Sequence, residues 1–389
     1  MTWPALVGAA HLDKVAPLSF ESLQLPRDRL RLLTSDAGVA AVLRGALADA
    51  ACTSDGQVTV LAGLRHGRAE LLVPCLMQTI GLPIRLGEKV LFTLRLPSIR
   101  FTPAAQEGVR SPDDGAALLG WLRRQAPDRA LVLTDVTTAS ALYAALAQAP
   151  ALGYRVTKNE PDSHLFHRFG DSYAAFFNER SSKYKNQLRK KEKVFIGRVG
   201  TDFELREYRQ PDAVKDFLDA ASMINRKTYQ FRLFGESVDN DEAGVADSQR
   251  AAVAGRFRSF VLWHAGLPLC FVLGHQRLDG TYEHRQTGFD PEWRDFAPGI
   301  YCNVLLLQRL YAVDRPLLLD FGSGDSAYKR LFSNESRNTA NPVLMPRRLR
   351  YFLAFWLHGA AASANQTVVD LLARWGLKDR VKRWLRGAA

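Results

Sequence analysis

The sequence predicts an α+β protein of two domains followed by a helical tail, and three observations carry that reading. At 389 residues the chain exceeds what one hydrophobic core ordinarily serves, so two domains and an appendage are expected. Many of its apolar residues fall in short runs bounded by Gly, Pro or charged turns, the pattern of strands. Other segments carry apolar residues at helical spacing, and the clearest strands are joined by tight-turn pairs, which favours mainly antiparallel sheets flanked by helices.

In chain order, residues 17–56 read as helical, most clearly over 39–51. The runs VTVLAGL (58–64), AELLVPCLM (69–77), KVLFTLRL (89–96) and ALVLTDV (130–136) read as strands, with a helix over 115–125 between the last two. A helix over 140–149 and an extended stretch over 154–169 complete a first α+β domain, residues 1–169.

The second domain is expected over 170–346. Asp171 or Ser172 caps a long helix reaching about Phe195, with Tyr173, Phe176, Phe177, Tyr184 and Leu188 as its apolar stripe. Lys183, Lys185, Arg189, Lys190 and Lys193 occupy the other faces. A strand FELREY (203–208) precedes a helix opened by Pro211 and running to about Lys227, and another helix spans 247–257. Three strands follow, SFVLWHA, LPLCFVLGHQRL and TYEHRQTGF, linked by Ala265-Gly266 and Asp279-Gly280. Pro291 ends the third. The loop EWRDFAPG leads through Pro298 and Gly299 into a helix over 300–313, and NPVLMP (341–346) reads as a last strand.

Hydrophobic content of 47% and charged content of 24% exclude a disordered chain. The net charge of +12 is local: residues 180–198 hold eight Lys/Arg against Glu192, and residues 346–389 hold nine against Asp370 and Asp379, so the remainder is slightly acidic. Localised anion sites fit better than a general nucleic-acid coat. Cys52, Cys75, Cys270 and Cys302 make no CxxC pair, and His164 and His167 lack the flanking acid of a metalloprotease helix, so no metal site is expected. The first residues lack a basic leader and the longest apolar run, 351–364, is too short to span a bilayer, so a cytoplasmic location is expected.

The organising stretch is PLLLDFGSGDSAYKRLF, residues 316–332. A buried strand ends in Asp320, where a carboxylate needs a partner or a task. Gly322 and Gly324 permit a sharp turn, Ser323 or Asp325 can cap the next helix, and Tyr328 and Lys329 follow on it. Upstream, a strand ending at Gly288-Phe289 and splaying from its neighbour would expose N–H and C=O groups to an extended amide-bearing arm. The loop 293–299 would then aim a helix N-terminus at a pyrophosphate, with Arg294 adding a charge-assisted contact.

From about Asp171 to Phe332 the chain resembles the GNAT acyltransferase superfamily, specifically its cellulose-biosynthesis (CelD/BcsL)-type branch, which is related to the tandem-domain Fem peptidyltransferases. The matching residues are the basic helix SSKYKNQLRKKEK, the meander with G-F-D-P, the A-P-G helix mouth and D-F-G-x-G-D-x-x-Y-K. The chain departs from typical members in lacking the Q/R-x-x-G-x-G/A loop, for which APG is a minimal substitute. The resemblance implies tandem GNAT-like domains and transfer from acetyl-CoA or another acyl-CoA to an amine or hydroxyl.

On that reading Phe289, Arg294, Pro298, Gly299 and Ile300 bind the donor. Asp320, or a water it orients, is the base, with His284 as the other candidate; Tyr328 protonates the thiolate, and Lys329 holds Asp320 ionised or binds an anionic acceptor group. Lys185, Arg189, Lys190 and Asp325 are the expected acceptor contacts. The expected acceptor is a sugar-nucleotide or lipid-linked glycan, a polysaccharide or cell-envelope precursor. The alternatives are a Fem-like aminoacyl-tRNA-dependent transferase, with the basic helix on tRNA, and a non-catalytic anion-binding protein. The tail, residues 347–389, holds a basic stretch with Leu377, Val381, Trp384 and Leu385 on one stripe. Residues 347–386 are expected either to dock on the second domain or to touch an anionic membrane.

Overall fold

The structure is a computed structural model that describes residues 19–23, 57–65, 68–86, 89–101, 109–157, 161–228, 237–277 and 280–374. The first strands are β1 (Ser19–Leu23), β2 (Gln57–Arg65), β3 (Arg68–Leu86) and β4 (Lys89–Phe101), an antiparallel series. The helical reading of 17–56 is therefore corrected at 19–23, which pairs residue for residue with β2; the helix expected at 39–51 lies outside the described residues. Helix α1 (Pro112–Gln125) starts at Ser111, whose Oγ accepts the Asp114 N–H, and has Pro112 at its first position. It leads to β5 (Ala130–Leu133), β6 (Val136–Thr137), α2 (Ala141–Ala145), β7 (Tyr154–Val156) and β8 (Asp162–Arg168).

The single long helix expected from 171 is two: α3 (Tyr173–Asn178), capped by Ser172, and α4 (Ser182–Val199), capped by Ser181. Ser181 is extended and its Oγ takes the Tyr184 N–H, which restarts the helix in a new direction. After β9 (Phe203–Tyr208) and α5 (Val214–Lys227), α6 (Glu242–Val253) begins earlier than 247 because Asp241 caps it. Strands β10 (Ser259–His264), β11 (Leu267–Gln276) and β12 (Thr281–Phe289) form the meander. Its first turn places Ala265 and Gly266 both at positive φ (47° and 76°), as a tight hairpin with right-handed strand twist requires. A 3₁₀ turn (Pro291–Phe296), α7 (Pro298–Ala312), β13 (Leu318–Ser323), α8 (Ala327–Phe332), β14 (Glu335–Ala340), β15 (Val343–Pro346) and α9 (Leu349–Arg374) complete the described chain.

The strands make two sheets, β1-β2-β3-β4-β5-β15-β7 and β6-β14-β8-β13-β12-β11-β10-β9. Both are mixed and mainly antiparallel, and each contains a parallel pair whose described connection includes a helix: β4–α1–β5 in the first and β12–α7–β13 in the second. This shared crossover gives the α+β fold its tandem character. Strand pairing crosses the division expected at 169/170 at three strands, the first being β6, which pairs with β14 in the second sheet. Strand β8 hydrogen-bonds between β13 and β14 in the second sheet, and β15 inserts between β5 and β7 in the first. The two halves are thus laced together by exchanged strands.

In the second sheet one apolar layer, with Phe260, Leu262, Tyr282, Leu319 and Phe321, packs under α3, α4, α7 and α8. The opposite face, with Val261 and Phe271, packs on α5 and α6. Helix α9 docks on the first sheet, not on the second domain. Its Tyr351 hydroxyl donates to Pro97 O at 2.7 Å and accepts the Ala130 N–H at 3.1 Å, while Tyr351 and Ala354 join Leu96 and Met345 in a small core. The stripe Leu377–Leu385 lies outside the described residues.

Candidate active site

Strand β12 pairs with β11 along nearly its whole length but with β13 only at Thr281, Tyr282 and Glu283. Beyond that point the two parallel strands part. A cleft of about 760 Å³ opens beside the freed stretch, lined by Thr287, Gly288 and Phe289 of β12 and by Pro298, Gly299, Ile300 and Asn303 of α7. Glycine is required at 288, where a Cβ would sit 2.6 Å from the Phe271 ring. At Gly299 a Cβ would come 3.3 Å from the Phe289 ring, so glycine keeps this wall low.

The mouth of α7 is set by Ala297, which is left-handed (φ 53°), and by Pro298. No side chain caps this helix start, so its positive end is presented to the cleft. Lys191, Lys227 and Arg294 bring three cations to the same cleft. Lys227 is held by the nearly buried Asp290 at 2.6 Å, and Asp290 also accepts the Glu292 N–H that shapes the 3₁₀ turn. Arg198 covers the Trp293 and Phe296 rings at 5.5 and 5.4 Å, fixing that turn against α4.

Tyr328 and Ser326 form the other wall of the cleft. The imidazole of His284 lies 6.2 Å from the Tyr328 ring and 5.6 Å from Phe321, centroid to centroid. Burial pushes the His284 imidazole down to about 4, with the Lys329 charge adding to the effect, so the ring is neutral at pH 7. Burial pushes the Tyr328 phenol up to about 12, so it stays protonated. Asn303 donates to Gly299 O at 2.8 Å. The Asn303 and His284 side chains interact with each other, and the Ser326 Oγ is buried without a hydrogen-bond partner. Such an orphan costs about 1–3 kcal/mol unless a ligand or water satisfies it. Asn303, Ser326 and Tyr328 thus give the cleft a polar stretch of wall.

Asp320 does not face this cleft. It is in register with Glu283 and Phe166, while its neighbours Leu319 and Phe321 point into the layer that holds Tyr328 and His284. Its Oδ1 accepts from His164 Nε2 at 2.5 Å and from the Gly322 N–H at 2.7 Å. The other nitrogen of His164 is 3.5 Å from Asp135. Burial opposes charge on His164, but the hydrogen bonds and charges of Asp135 and Asp320 outweigh it and push His164 up to about 9. Burial likewise raises Asp320, yet His164 and the Gly322 N–H hold it below the usual carboxylate range. The Asp320 carboxylate is thus committed to His164 and the Gly322 N–H on that side of the sheet.

Lys329 donates to Gly322 O (3.2 Å) and Ser323 O (2.7 Å), bracing the β13–α8 turn rather than binding Asp320. Asp325 pairs with Arg330 at 2.5 Å. Lys185 donates to Asn178 O, Arg189 lies over the Phe177 ring, and Lys190 is exposed; α4 reaches the cleft through Lys191. The structure therefore gathers Phe289, Arg294, Pro298, Gly299, Ile300 and Tyr328 around one cleft, with His284 behind Tyr328, and leaves Asp320, Asp325, Lys185 and Arg189 outside it. Lys191, Lys227, Thr287, Asn303 and Ser326 went unnoticed in the sequence. Asn303 alone was within reach, since it lies one helical turn after Gly299 on the same face. Among the described residues no group of three or more His, Cys, Asp or Glu could hold a metal ion.

Residues 182–330, from α4 to α8, match the family model described as an acetyltransferase (GNAT) domain. No curated protein matches the sequence. Among solved structures the chain is similar to FemX, at 12% identity over 90% of this chain and 99% of that one, with a TM-score of 0.54. It is also similar to a conserved protein of unknown function from Bacteroides thetaiotaomicron, at 13% identity over 84% and 99%, with a TM-score of 0.50. Both likenesses extend over most of the chain and establish a shared fold.

Proposed function

We propose that this chain is an acyl-CoA-dependent N- or O-acyltransferase whose donor lies in the β12–α7 cleft. The observation that carries the reading is the parting of β12 from β13 beside an uncapped helix mouth flanked by Lys191, Lys227 and Arg294. The freed edge of β12 suits the amides of a pantetheine arm. The helix mouth and the three cations suit the phosphates of coenzyme A. When bound, the coenzyme supplies the acyl group as a thioester.

The neutral His284 takes the proton of the attacking amine or hydroxyl, directly or through one water. Tyr328, protonated at neutral pH, donates to the departing sulfur. Asn303 and Ser326, which line the cleft, orient the reacting groups. Asp320 is a positioning residue that braces β13 through His164. We place the enzyme in the cellulose-biosynthesis branch of the superfamily, acting in the cytoplasm with acetyl-CoA as the donor. Its acceptor is then a sugar-nucleotide or lipid-linked glycan, a polysaccharide or cell-envelope precursor.

The test is acceptor-dependent thiol release from acetyl-CoA, screened over amino-sugar and hydroxyl-sugar nucleotides. Release that requires an acceptor, and that falls in His284→Gln, supports the reading. A second reading, a Fem-like aminoacyl-tRNA-dependent transferase, is favoured by the exposed Lys183, Lys190 and Lys193 of α4 and by the fold shared with FemX. Salt-sensitive retention of tRNA, with no thiol release, would select it instead.

A further inference from the structure

Over residues 349–357, helix α9 covers the first sheet with one face and leaves the opposite face to solvent. The covering side chains are Tyr351, Ala354 and Phe355. The outward stripe is Leu349, Phe352, Leu353, Trp356 and Leu357, which recur at helical spacing and are 41–72% exposed. Five large apolar side chains in one row form a patch that soluble surfaces ordinarily avoid. Phe92, in register with Ile84 and half exposed, lies on the β3–β4 hairpin against which the helix rests.

Charge decides what fits this face. Arg347, Arg348 and Arg350 stand exposed at the start of the stripe, and two of them share one acid, Asp128, at 3.4 and 4.0 Å. Beyond the helix, residues 375–389 add five Lys/Arg against Asp379 alone. A second copy seated here by a two-fold axis would bring the same arginines together. An anionic lipid surface instead takes the apolar row into its acyl boundary and the guanidinium groups among its headgroups, with Trp356 at the interface. Among the described residues no helix is long and apolar enough to cross a membrane, and the attachment proposed is a peripheral one.

We infer that the outward face of α9, from Leu349 to Leu357, is a docking surface for an anionic membrane. The β12–α7 cleft belongs to the second sheet, whereas the docking helix rests on the first. Each arginine near an anionic surface raises partitioning about fivefold, so binding needs both the apolar row and the charges.

The experiment is co-sedimentation of the full chain with two kinds of vesicle: phosphatidylcholine alone, and phosphatidylcholine with about a third phosphatidylglycerol. The protein is expected to partition onto the anionic vesicles and much less onto the neutral ones. Leu353→Ser with Trp356→Ser should lower anionic partitioning at least about tenfold, and Arg347→Gln with Arg348→Gln at least about fivefold. All four side chains are exposed, so circular dichroism and melting should match the parent. Equal partitioning of parent and Ser variant overturns the inference, as does no binding to either vesicle. So does a concentration-dependent dimer, seen by sedimentation equilibrium without vesicle binding and dissolved by the Ser pair, which would assign the face to a second copy.

Discussion

Asp320 and Tyr328, eight positions apart in sequence, belong to opposite faces of the same sheet. Asp320 is bonded to His164 at 2.5 Å on one side, and Tyr328 is packed beside His284 at 6.2 Å on the other. On the proposed function the proton chemistry falls to the His284 side, and the Asp320 side serves as a structural clasp. The predictions follow from that division.

Replacing His284 with Gln should lower turnover at least about 100-fold, the ordinary scale for a general base, and leave donor affinity unchanged. Since burial pushes His284 down to about 4, the acid limb it contributes to kcat should lie near that value. Activity should be insensitive to His284 titration from there upward. A His284-dependent limb near the ordinary imidazole value would contradict this role.

Tyr328→Phe should reduce turnover with acetyl-CoA and spare a donor whose leaving group needs no proton, such as a p-nitrophenyl ester. The phenol, pushed up to about 12 by burial, contributes no alkaline limb at ordinary assay pH. Equal losses with both donors would make Tyr328 a packing residue.

The Asp135–His164–Asp320 cluster should appear in stability rather than in rate. His164→Gln leaves two carboxylates without their cation and is expected to cost about 3–5 kcal/mol, read by urea denaturation. The sign of the pH dependence follows from His164 being raised to about 9. Its stabilisation is complete below the unfolded imidazole value and is lost as pH rises from there through about 9. Asp320, held low, adds stability above the unfolded carboxylate value that is lost as pH falls through its folded value. A His164→Gln protein with parental stability but no turnover would place His164 in the chemistry.

Arg258 anchors the far end of α7. Its buried guanidinium pairs with Glu207 at 2.9 Å and donates to Val313 O and Asp314 O at 2.7 and 2.8 Å. Arg258→Met should destabilise the fold by about 3 kcal/mol or more, because Glu207 and two carbonyls lose a buried partner. The melting temperature measures this, and an unchanged value would contradict the anchoring.

The meander and the residues lining the β12–α7 cleft were legible because their signals are local. Alternating apolar residues, the Ala265-Gly266 turn and the Pro298-Gly299 helix start each act within a few positions. The opposite facing of Asp320 and Phe321 was also available from strand alternation, but the side on which α8 docks was not. Strand exchange was hidden because nothing local to β8 or β15 names its partner; pairing is chosen by long-range packing. Lys191 and Lys227 reach the cleft from helices remote from it in sequence, so neither spacing nor composition could assign them. The break at Ser181 turned on one cap inside a helix-favouring run.

The most direct test is calorimetric titration of acetyl-CoA into the parent protein and into Gly299→Val. At Gly299 even a Cβ would press on the Phe289 ring at 3.3 Å, and the branched side chain would fill the approach to the helix mouth. The account predicts saturable binding to the parent, weakened at least about tenfold in Gly299→Val and retained in His284→Gln. No binding to the parent, or equal affinity in Gly299→Val, would contradict the placement of the donor in this cleft.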